Sequence, residues 1–148
     1  MDILFLTLCR VTNLEDKGIY TDLIRELRRF GNNVYVVTPS ERRYKCKTGI
    51  KEQSGVKILN VNTLNIQKTN FIEKGIGTIL IEHQYKKAIK KHFRDIKFDL
   101  LIYSTPPITL TSVISSVKKR TGAFTYLLLK DIFPQNAVDL GMMGKSGL

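Results

Sequence analysis

A short loop between an apolar run and a segment with helical spacing contains the first candidate ligand-binding residues. The loop ends with Lys17 and Gly18. Exposed N–H groups at the amino end of a helix attract anions, so a glycine there could let a phosphate or a sugar approach the backbone. Gly18 could equally do no more than permit a turn. A lone glycine does not decide between these two explanations.

Two further segments offer hydroxyl and carboxylate groups. Ser104 and Thr105 can hydrogen-bond a ligand, or they can cap a helix that begins at Pro106. Asp131 lies in a loop with Pro134 and could orient a hydroxyl group or act as an acid or a base. The alternative for Asp131 is a turn residue whose carboxylate bonds to the backbone. The residue types leave both questions open.

The elements that position these residues follow from hydrophobic spacing. Apolar runs of strand length alternate with segments of helical period, a pattern that is typical of a parallel sheet with helical crossovers. We therefore expect an α/β fold, a Rossmann-like parallel sheet with helices on both faces. The predicted strands are residues 3–8, 33–38, 56–61, 98–103 and 124–129, and the predicted helices are residues 19–30, a segment from Asn70 to about Phe93, and one from Pro106 onward.

Local features refine this prediction. Pro39 is expected to end the second strand, and residues 40–55, which are basic and without a sustained period, are expected to form a loop. The long helix has apolar residues on two opposite sides, so we expect it to kink or split near His83. Gly31 is expected to end the first helix in a left-handed conformation. Cys9 is interpreted as a small buried hydrophobe.

The candidate residues share one edge of the predicted sheet. In open α/β sheets, ligands bind beyond the carboxyl ends of the strands, and the loops with Gly18, Ser104 and Asp131 each follow a strand. The sequence contains neither a dinucleotide-binding glycine pattern nor a P-loop. A phosphoacceptor receiver domain needs an acidic pair after the first strand to hold magnesium, and Cys9 and Arg10 stand there instead. A dinucleotide-binding fingerprint, a P-loop and a receiver domain are therefore excluded.

Length and composition fit one globular domain over residues 1–148. The chain is 43% hydrophobic and 25% charged, which excludes disordered and fibrous classes. Its two cysteines form no Cys-x-x-Cys pattern, so we expect no disulfide framework, metal or cofactor, and a reducing cytoplasm as the location. No apolar run approaches the length of a membrane span, and an acidic residue at position 2 argues against a signal peptide.

The formal net charge of +11 is concentrated in three stretches, residues 41–57, 86–97 and 118–120. No nucleic-acid-binding motif accompanies them, so we expect no nucleic-acid partner. The middle stretch is amphipathic, with Tyr85, Ile89 and Phe93 beside its basic residues, and could lie on an anionic membrane surface. A solvated helix face explains it equally well. The basic residues assigned to this membrane surface are Lys86, Lys87, Lys90, Lys91 and Arg94.

Three short motifs stand out in the sequence. They are Lys17-Gly18-Ile19-Tyr20-Thr21-Asp22-Leu23, Ser104-Thr105-Pro106-Pro107, and the run from Leu128 to Val138. Together they resemble the amino-terminal domain of GT-B glycosyltransferases of family 4, which build bacterial surface polysaccharides such as capsule and O-antigen. The second and third motifs look like the SxPP and DIWP elements of transferases related to those that handle N-acetylfucosamine. The resemblance covers essentially the whole chain.

This resemblance implies a retaining glycosyltransferase with two Rossmann-like domains, of which the chain is the acceptor-side, amino-terminal half. The nucleotide sugar is expected to bind mainly to a carboxyl-terminal domain that these 148 residues do not contain. Asp131 is the candidate catalytic group near the acceptor hydroxyl. The implied binding residues for a lipid-linked or other glycan acceptor are Lys17, Gly18, Tyr20, Ser104, Thr105 and Pro106.

The sequence departs from the family pattern at two positions. Gly18 stands alone where a glycine pair is usual, and Phe133 replaces a tryptophan. Without the donor-binding half, we expect the chain alone not to transfer sugar. Because acceptors of such enzymes are commonly polyprenyl-diphosphate-linked, the resemblance favours peripheral contact with the inner face of the cytoplasmic membrane. The alternative from another functional class is a non-catalytic Rossmann-like module that binds a nucleotide or another anion.

Overall fold

Strands and helices alternate along the chain, as the hydrophobic spacing predicts. The computed structural model describes residues 1–65, 71–104 and 110–129, without the side chains of residues 71–76 and 78. The predicted helix starts at Asn70 and Pro106 lie outside the described residues. The elements are β1 (Asp2–Leu6), α1 (Ile19–Arg29), β2 (Asn33–Glu41), a short 3-10 helix (Arg42–Tyr44), β3 (Gly49–Gln53), β4 (Val56–Thr63), α2 (Phe71–His92), β5 (Leu100–Ser104), α3 (Thr111–Thr121) and β6 (Phe124–Leu128).

These strands form one sheet in the order β3-β4-β2-β1-β5-β6. All neighbouring pairs are parallel except β3, which runs antiparallel to β4 at one edge. From β1 the chain first moves to β2 on one side and later places β5 on the other side. The strand order therefore reverses at β1, which is the position where ligands bind in sheets of this type.

Helices cover both faces of the sheet, which confirms the predicted α/β class. Phe5 of β1 is buried in a core with Ile24 of α1. Leu4, its neighbour along the strand, is buried in a second core with Tyr85 of α2 and Val113 of α3. Because successive side chains of a strand point to opposite faces, α1 lies on one face and α2 and α3 lie on the other.

The prediction that Pro39 ends the second strand is wrong, since β2 continues to Glu41. The carbonyl of Val37 accepts a hydrogen bond from the Thr7 N–H on the β1 side, at 3.1 Å. Pro39 lies two residues further along and points to the same side, but β1 has already ended at Leu6. No ladder hydrogen bond is needed there, so the missing N–H of proline costs nothing.

The prediction of a loop over residues 40–55 is also wrong. Within this range β3 pairs with β4 through a two-residue turn at Ser54 and Gly55, whose φ angles are 50° and 73°. Two positive φ angles are characteristic of the type I′ hairpin turn. The side chains of β3 are exposed or half-buried on both faces, so the strand carries no hydrophobic period.

The predicted split near His83 is wrong, because α2 is continuous from Phe71 to His92. The apolar residues that suggested a second buried side, Ile79 and Leu80, are 77% and 40% exposed. The core contacts of the helix come instead from residues such as Ile81 and Ile89.

The ends of α1 and β1 can be compared with their predicted positions. Gly31 follows α1 with a φ of 80°, so the predicted left-handed end is confirmed. β1 ends at Leu6, before the predicted end at Leu8, because the chain turns into the loop at residues 7–18. We call this segment the β1–α1 loop.

Candidate functional site

The β1–α1 loop and the end of β5 lie side by side where the strand order reverses. Ser104 is buried and comes one residue after Tyr103, which pairs with Leu6, so it is level with Thr7. The structure therefore brings Ser104 to the same edge of the sheet as the loop. Of the residues predicted for the site, Lys17, Gly18, Tyr20 and Ser104 are described, and Thr105, Pro106 and Asp131 lie outside the described residues.

A fully buried threonine of β2 holds the first half of the loop. The Thr38 Oγ1 accepts a hydrogen bond from the Val11 N–H at 2.8 Å. The same hydroxyl donates to the carbonyl oxygen of Cys9 at 2.9 Å. One side chain thus satisfies two backbone groups of the loop, and this fixes the chain direction directly after β1.

The second half of the loop is bonded to the β3–β4 hairpin and to α1. The Leu14 N–H donates to Gln53 Oε1 at 3.2 Å, and the Gln53 amide nitrogen donates to Asn13 Oδ1. At the helix end, Thr21 Oγ1 donates to the Asp16 carbonyl at 2.6 Å. The two bonds to Gln53 join residues far apart in sequence and tie the loop to the hairpin.

Tyr85 supports the loop from the α2 side of the sheet. Its buried Oη donates to the Thr7 carbonyl oxygen at 2.8 Å. Burial raises the pKa of Tyr85 well above its ordinary value, and the nearby Cys9 thiol adds a smaller rise. The phenol therefore stays protonated and remains a donor. Cys9 itself is exposed, so its interpretation as a buried hydrophobe is wrong.

The loop and the start of α1 enclose a cleft of about 280 Å³. Gly18 is the N-cap of α1, and no side chain among the described residues caps this helix end. With φ 175° and ψ 153°, Gly18 has an extended backbone that any residue adopts. The explanation that it only permits a turn is therefore not supported. A Cβ at this position would lie 3.3 Å from Thr21 Oγ1, a close contact that glycine avoids.

Two cationic side chains line this cleft, Lys17 and Arg10. The Arg10 guanidinium lies 3.7 Å from the centroid of the Tyr44 ring, which holds it beside the cleft. The carboxylate of Asp16 accepts a hydrogen bond from the Asn13 side chain at 3.3 Å. The cleft is therefore mildly basic, with its one lining carboxylate already bonded.

Tyr20 both lines the cleft and packs in the core. Its ring lies edge-on to Phe5 with centroids 5.5 Å apart, so part of its predicted binding role is taken by packing. Sequence reasoning missed Arg10 and Thr38. The position of Arg10 directly after the first strand was the available signal, whereas no local pattern distinguishes Thr38.

This arrangement can bind a small anionic group. The first-turn N–H groups of α1 carry partial positive charge, and Lys17 and Arg10 add full charges. Among the described residues, no group of three or more His, Cys, Asp and Glu side chains could hold a metal ion.

A second basic surface lies between α2 and α3, where a groove of about 670 Å³ runs along the two helices. Four of the five predicted membrane-surface residues line it, and Lys91 does not, because it projects from another side of α2. We call this surface the α2–α3 groove. Its lining residues are His83, Lys86, Lys87, Ile89, Lys90, Arg94, Ser116, Val117 and Arg120.

The apolar partners of the predicted amphipathic stretch face inward. Tyr85, Ile89 and Phe93 are buried in the core that α2 forms with the sheet. Arg120 donates hydrogen bonds to the carbonyl oxygens of Phe93, Arg94 and Ile96 at the end of α2. Contact with a membrane through this groove would therefore depend on charge. Over the described part of the chain, no helix has the length and apolarity to span a bilayer.

Comparisons with known proteins support the fold. No protein-family description and no curated protein matches the sequence. Among solved structures, the C-terminal domain of a hydrogenase from Pyrococcus furiosus is similar, with a TM-score of 0.55 and 14% sequence identity over 85% of this chain and 89% of that domain. At this level of identity the likeness shows a shared α/β fold alone.

Proposed function

We propose that this chain is the acceptor-side domain of a retaining glycosyltransferase that transfers a sugar from a nucleotide sugar to a lipid-linked glycan acceptor. The three motifs that resemble family 4 enzymes of surface-polysaccharide synthesis support this proposal. The observation that carries it is the cleft of the β1–α1 loop, where the uncapped start of α1 and Lys17 meet at the reversal of strand order.

In this proposal the acceptor diphosphate binds at the start of α1. The first-turn N–H groups and the Lys17 ammonium donate to phosphate oxygens, and Gly18 leaves the backbone open. The exposed part of the Tyr20 ring flanks the ligand. Ser104, with Thr105 and Pro106 after it, forms the side of the site that hydrogen-bonds a sugar hydroxyl.

Because the configuration is retained, the acceptor oxygen bonds to the anomeric carbon of the donor on the face that the nucleoside diphosphate leaves, while the bond from that carbon to the diphosphate breaks. Asp131 is proposed to orient the acceptor hydroxyl and to take the proton that it loses. The charge that develops on the departing diphosphate needs positive groups. The family resemblance assigns these groups to a donor-binding domain outside the 148 residues.

The second part of the proposal is peripheral contact with the anionic inner face of the cytoplasmic membrane. Lys87, Lys90 and Arg94 are exposed in the α2–α3 groove. Each basic residue near an anionic surface contributes about 1 kcal/mol. Because Tyr85, Ile89 and Phe93 are buried, the proposed membrane contact relies on attraction between these basic residues and the anionic surface.

Calorimetric titration with a short-chain prenyl-diphosphate-linked N-acetylhexosamine tests the acceptor site. Lys17→Ala is expected to weaken binding about tenfold, the size of one lost charge-assisted contact. Lys51→Ala is the matched control, since Lys51 is an exposed lysine of β3 outside the cleft. It should leave the dissociation constant within about twofold. Equal losses in both variants, or no binding by the unsubstituted chain, would contradict the proposal.

The non-catalytic binding module is the competing function, and the sugar part of the ligand distinguishes the two. An acceptor site should bind the glycosylated diphosphate about tenfold more tightly than inorganic pyrophosphate, whereas an anion-binding module should bind both equally. The proposal also predicts no transfer when the 148-residue chain is mixed with nucleotide sugars and acceptor. Measurable turnover would show that the donor site does not require a second domain.

A further inference from the structure

The exposed side of α2 changes in character along the length of the helix. Among the residues whose side chains are described, five exposed ones follow one another at helical spacing, Ile79, Leu80, His83, Lys87 and Lys90. With 3.6 residues per turn, they lie within an arc of about 100°. We call this surface the outer face of α2. It is apolar in its first part and basic in its second part.

Ile79 and Leu80 form the apolar part of the outer face. They are 77% and 40% exposed, whereas the next residue, Ile81, is buried in the core against the sheet. Single exposed apolar residues are common on protein surfaces. Here two adjacent ones continue along the helix into exposed lysines. An apolar patch combined with basic residues is typical of helices that lie at the interface of a membrane.

The charge of the outer face indicates which partner covers it. Glu82 is turned towards α3, where its carboxylate accepts a hydrogen bond from the Ser112 N–H at 2.9 Å. Neither Lys87 nor Lys90 takes part in an ion pair within the described part of the chain. A second copy of this chain would present the same cations and be repelled. An anionic lipid surface satisfies both the cations and the apolar patch.

The apolar end of the outer face lies at the same edge of the sheet as the proposed acceptor site. Tyr85 Oη donates to the Thr7 carbonyl oxygen directly after β1, and the Phe93 ring lies edge-on to Tyr35 in the first half of β2, with centroids 5.4 Å apart. The helix therefore runs from the carboxyl edge of the sheet towards the amino edge. Ile79 precedes Tyr85 by about 9 Å along the helix axis, so it lies at the edge where the β1–α1 loop begins.

We propose that the outer face of α2 lies on an anionic bilayer and that Ile79 and Leu80 insert between the lipid chains. Lys87 and Lys90 then contact the phosphates of the headgroups. This inference rests on the membrane contact proposed above and adds an apolar anchor to it. Because the anchor lies at the carboxyl edge of the sheet, it brings the β1–α1 loop close to the bilayer that holds a lipid-linked acceptor.

A single tryptophan tests the insertion, because the chain contains none of its own. The emission of Ile79→Trp should shift to the blue on mixed phosphatidylglycerol and phosphatidylcholine vesicles, and lipids brominated on their acyl chains should quench it. Phe30→Trp is the matched control, at a position that is 75% exposed at the end of α1. Its emission should remain that of a solvated ring. Vesicle-bound Ile79→Trp without shift or quenching, or equal quenching of both variants, would overturn the inference.

Ile79→Ser separates the apolar anchor from the attraction of charge. It should weaken vesicle binding about tenfold, and the loss should persist at high salt, where attraction of charge is screened. Ile50→Ser, at an exposed isoleucine of β3, is the matched control and should leave binding unchanged. If Ile79→Ser binds normally while removal of Lys87 and Lys90 weakens binding, the proposed charge contact stands and the anchor is wrong. If the unsubstituted protein does not bind anionic vesicles, both are wrong.

Discussion

The β1–α1 loop and the α2–α3 groove are both basic, but their polar groups are held differently. In the loop, Thr38 and Gln53 bond to backbone groups, and Asp16 is bonded within the segment. In the groove, Lys87 and Lys90 are exposed along the helix surface. The loop therefore offers a cleft whose backbone is held by side-chain hydrogen bonds, with few charges. The groove offers a row of exposed charges beside Arg120, which is itself bonded to backbone carbonyls.

This difference indicates two kinds of partner. A fixed cleft with backbone donors suits one small anionic group in a defined position. A row of exposed cations suits an extended anionic surface, to which attraction is screened by salt. The two surfaces should therefore respond differently to the same loss of charge, and the following changes test that contrast.

The largest effect is expected for binding to anionic vesicles when the groove loses three charges. The triple variant Lys87→Ala, Lys90→Ala, Arg94→Ala should bind about 100-fold more weakly in sedimentation assays at low salt, from about 1 kcal/mol per residue. The control is a triple variant of exposed lysines away from the groove. It consists of Lys45→Ala, Lys47→Ala and Lys51→Ala.

The control variant removes the same charge, so it should weaken vesicle binding much less than the groove variant. Equal losses would mean that net charge, and not the groove, attracts the membrane. Recovery of the unsubstituted protein on neutral vesicles should be low at the same ionic strength.

The next largest effect is expected when the β1–α1 loop loses its hydrogen bonds to Thr38. Thr38→Val removes the hydroxyl that bonds to Val11 and Cys9, and should lower the free energy of unfolding by about 1–3 kcal/mol in urea. Thr125→Val, at an exposed position of β6, should change it by less than about 0.5 kcal/mol. Thr38→Val should also weaken acceptor binding while vesicle binding stays unchanged. A parallel loss of both would contradict the separation of the two surfaces.

A smaller loss of stability is expected when the hydrogen bond from Tyr85 of α2 to the loop is removed. Tyr85→Phe leaves the Thr7 carbonyl without its buried donor and should lower the free energy of unfolding by about 1 kcal/mol at neutral pH. Tyr126→Phe, at an exposed position, is the matched control.

The contribution of Tyr85 to the free energy of unfolding should depend on pH, in a direction set by its pKa shift. Burial raises the pKa of Tyr85 in the folded protein, so its contribution is fully present below the unfolded value of about 10. The contribution is lost as the pH rises from there through the folded value. The stability difference between the unsubstituted protein and Tyr85→Phe should therefore shrink above pH about 10. A difference that grows in this range would contradict the buried-donor role.

Hydrophobic spacing predicted the parts of the fold that are buried. Strands such as β1 and β5 are covered on both faces and appear as apolar runs, and the apolar stripe of α1 marks its core side. β3 was missed because its side chains are not buried on either face. The local signal for this strand is the Ser54-Gly55 pair, whose residue types favour a turn.

The sequence predicts at which edge of the sheet the site lies, but not the hydrogen bonds that hold its loop. The rule for the carboxyl ends of strands places Gly18 and Ser104 at one edge, and the register agrees. The bonds from Thr38 and Gln53 to the loop join residues far apart in sequence, so they depend on a strand register that spacing does not specify. The separation of Lys90 from Lys91 follows from the helical rotation about α2.

The central claim is that the start of α1 holds the acceptor diphosphate, and amide NMR during titration with the prenyl-diphosphate-linked N-acetylhexosamine tests it most directly. The account predicts saturable shifts at the N–H groups of Ile19, Tyr20 and Thr21, with little change at Lys90 and Arg94. Shifts confined to the α2–α3 groove, with none at the first turn of α1, would contradict it.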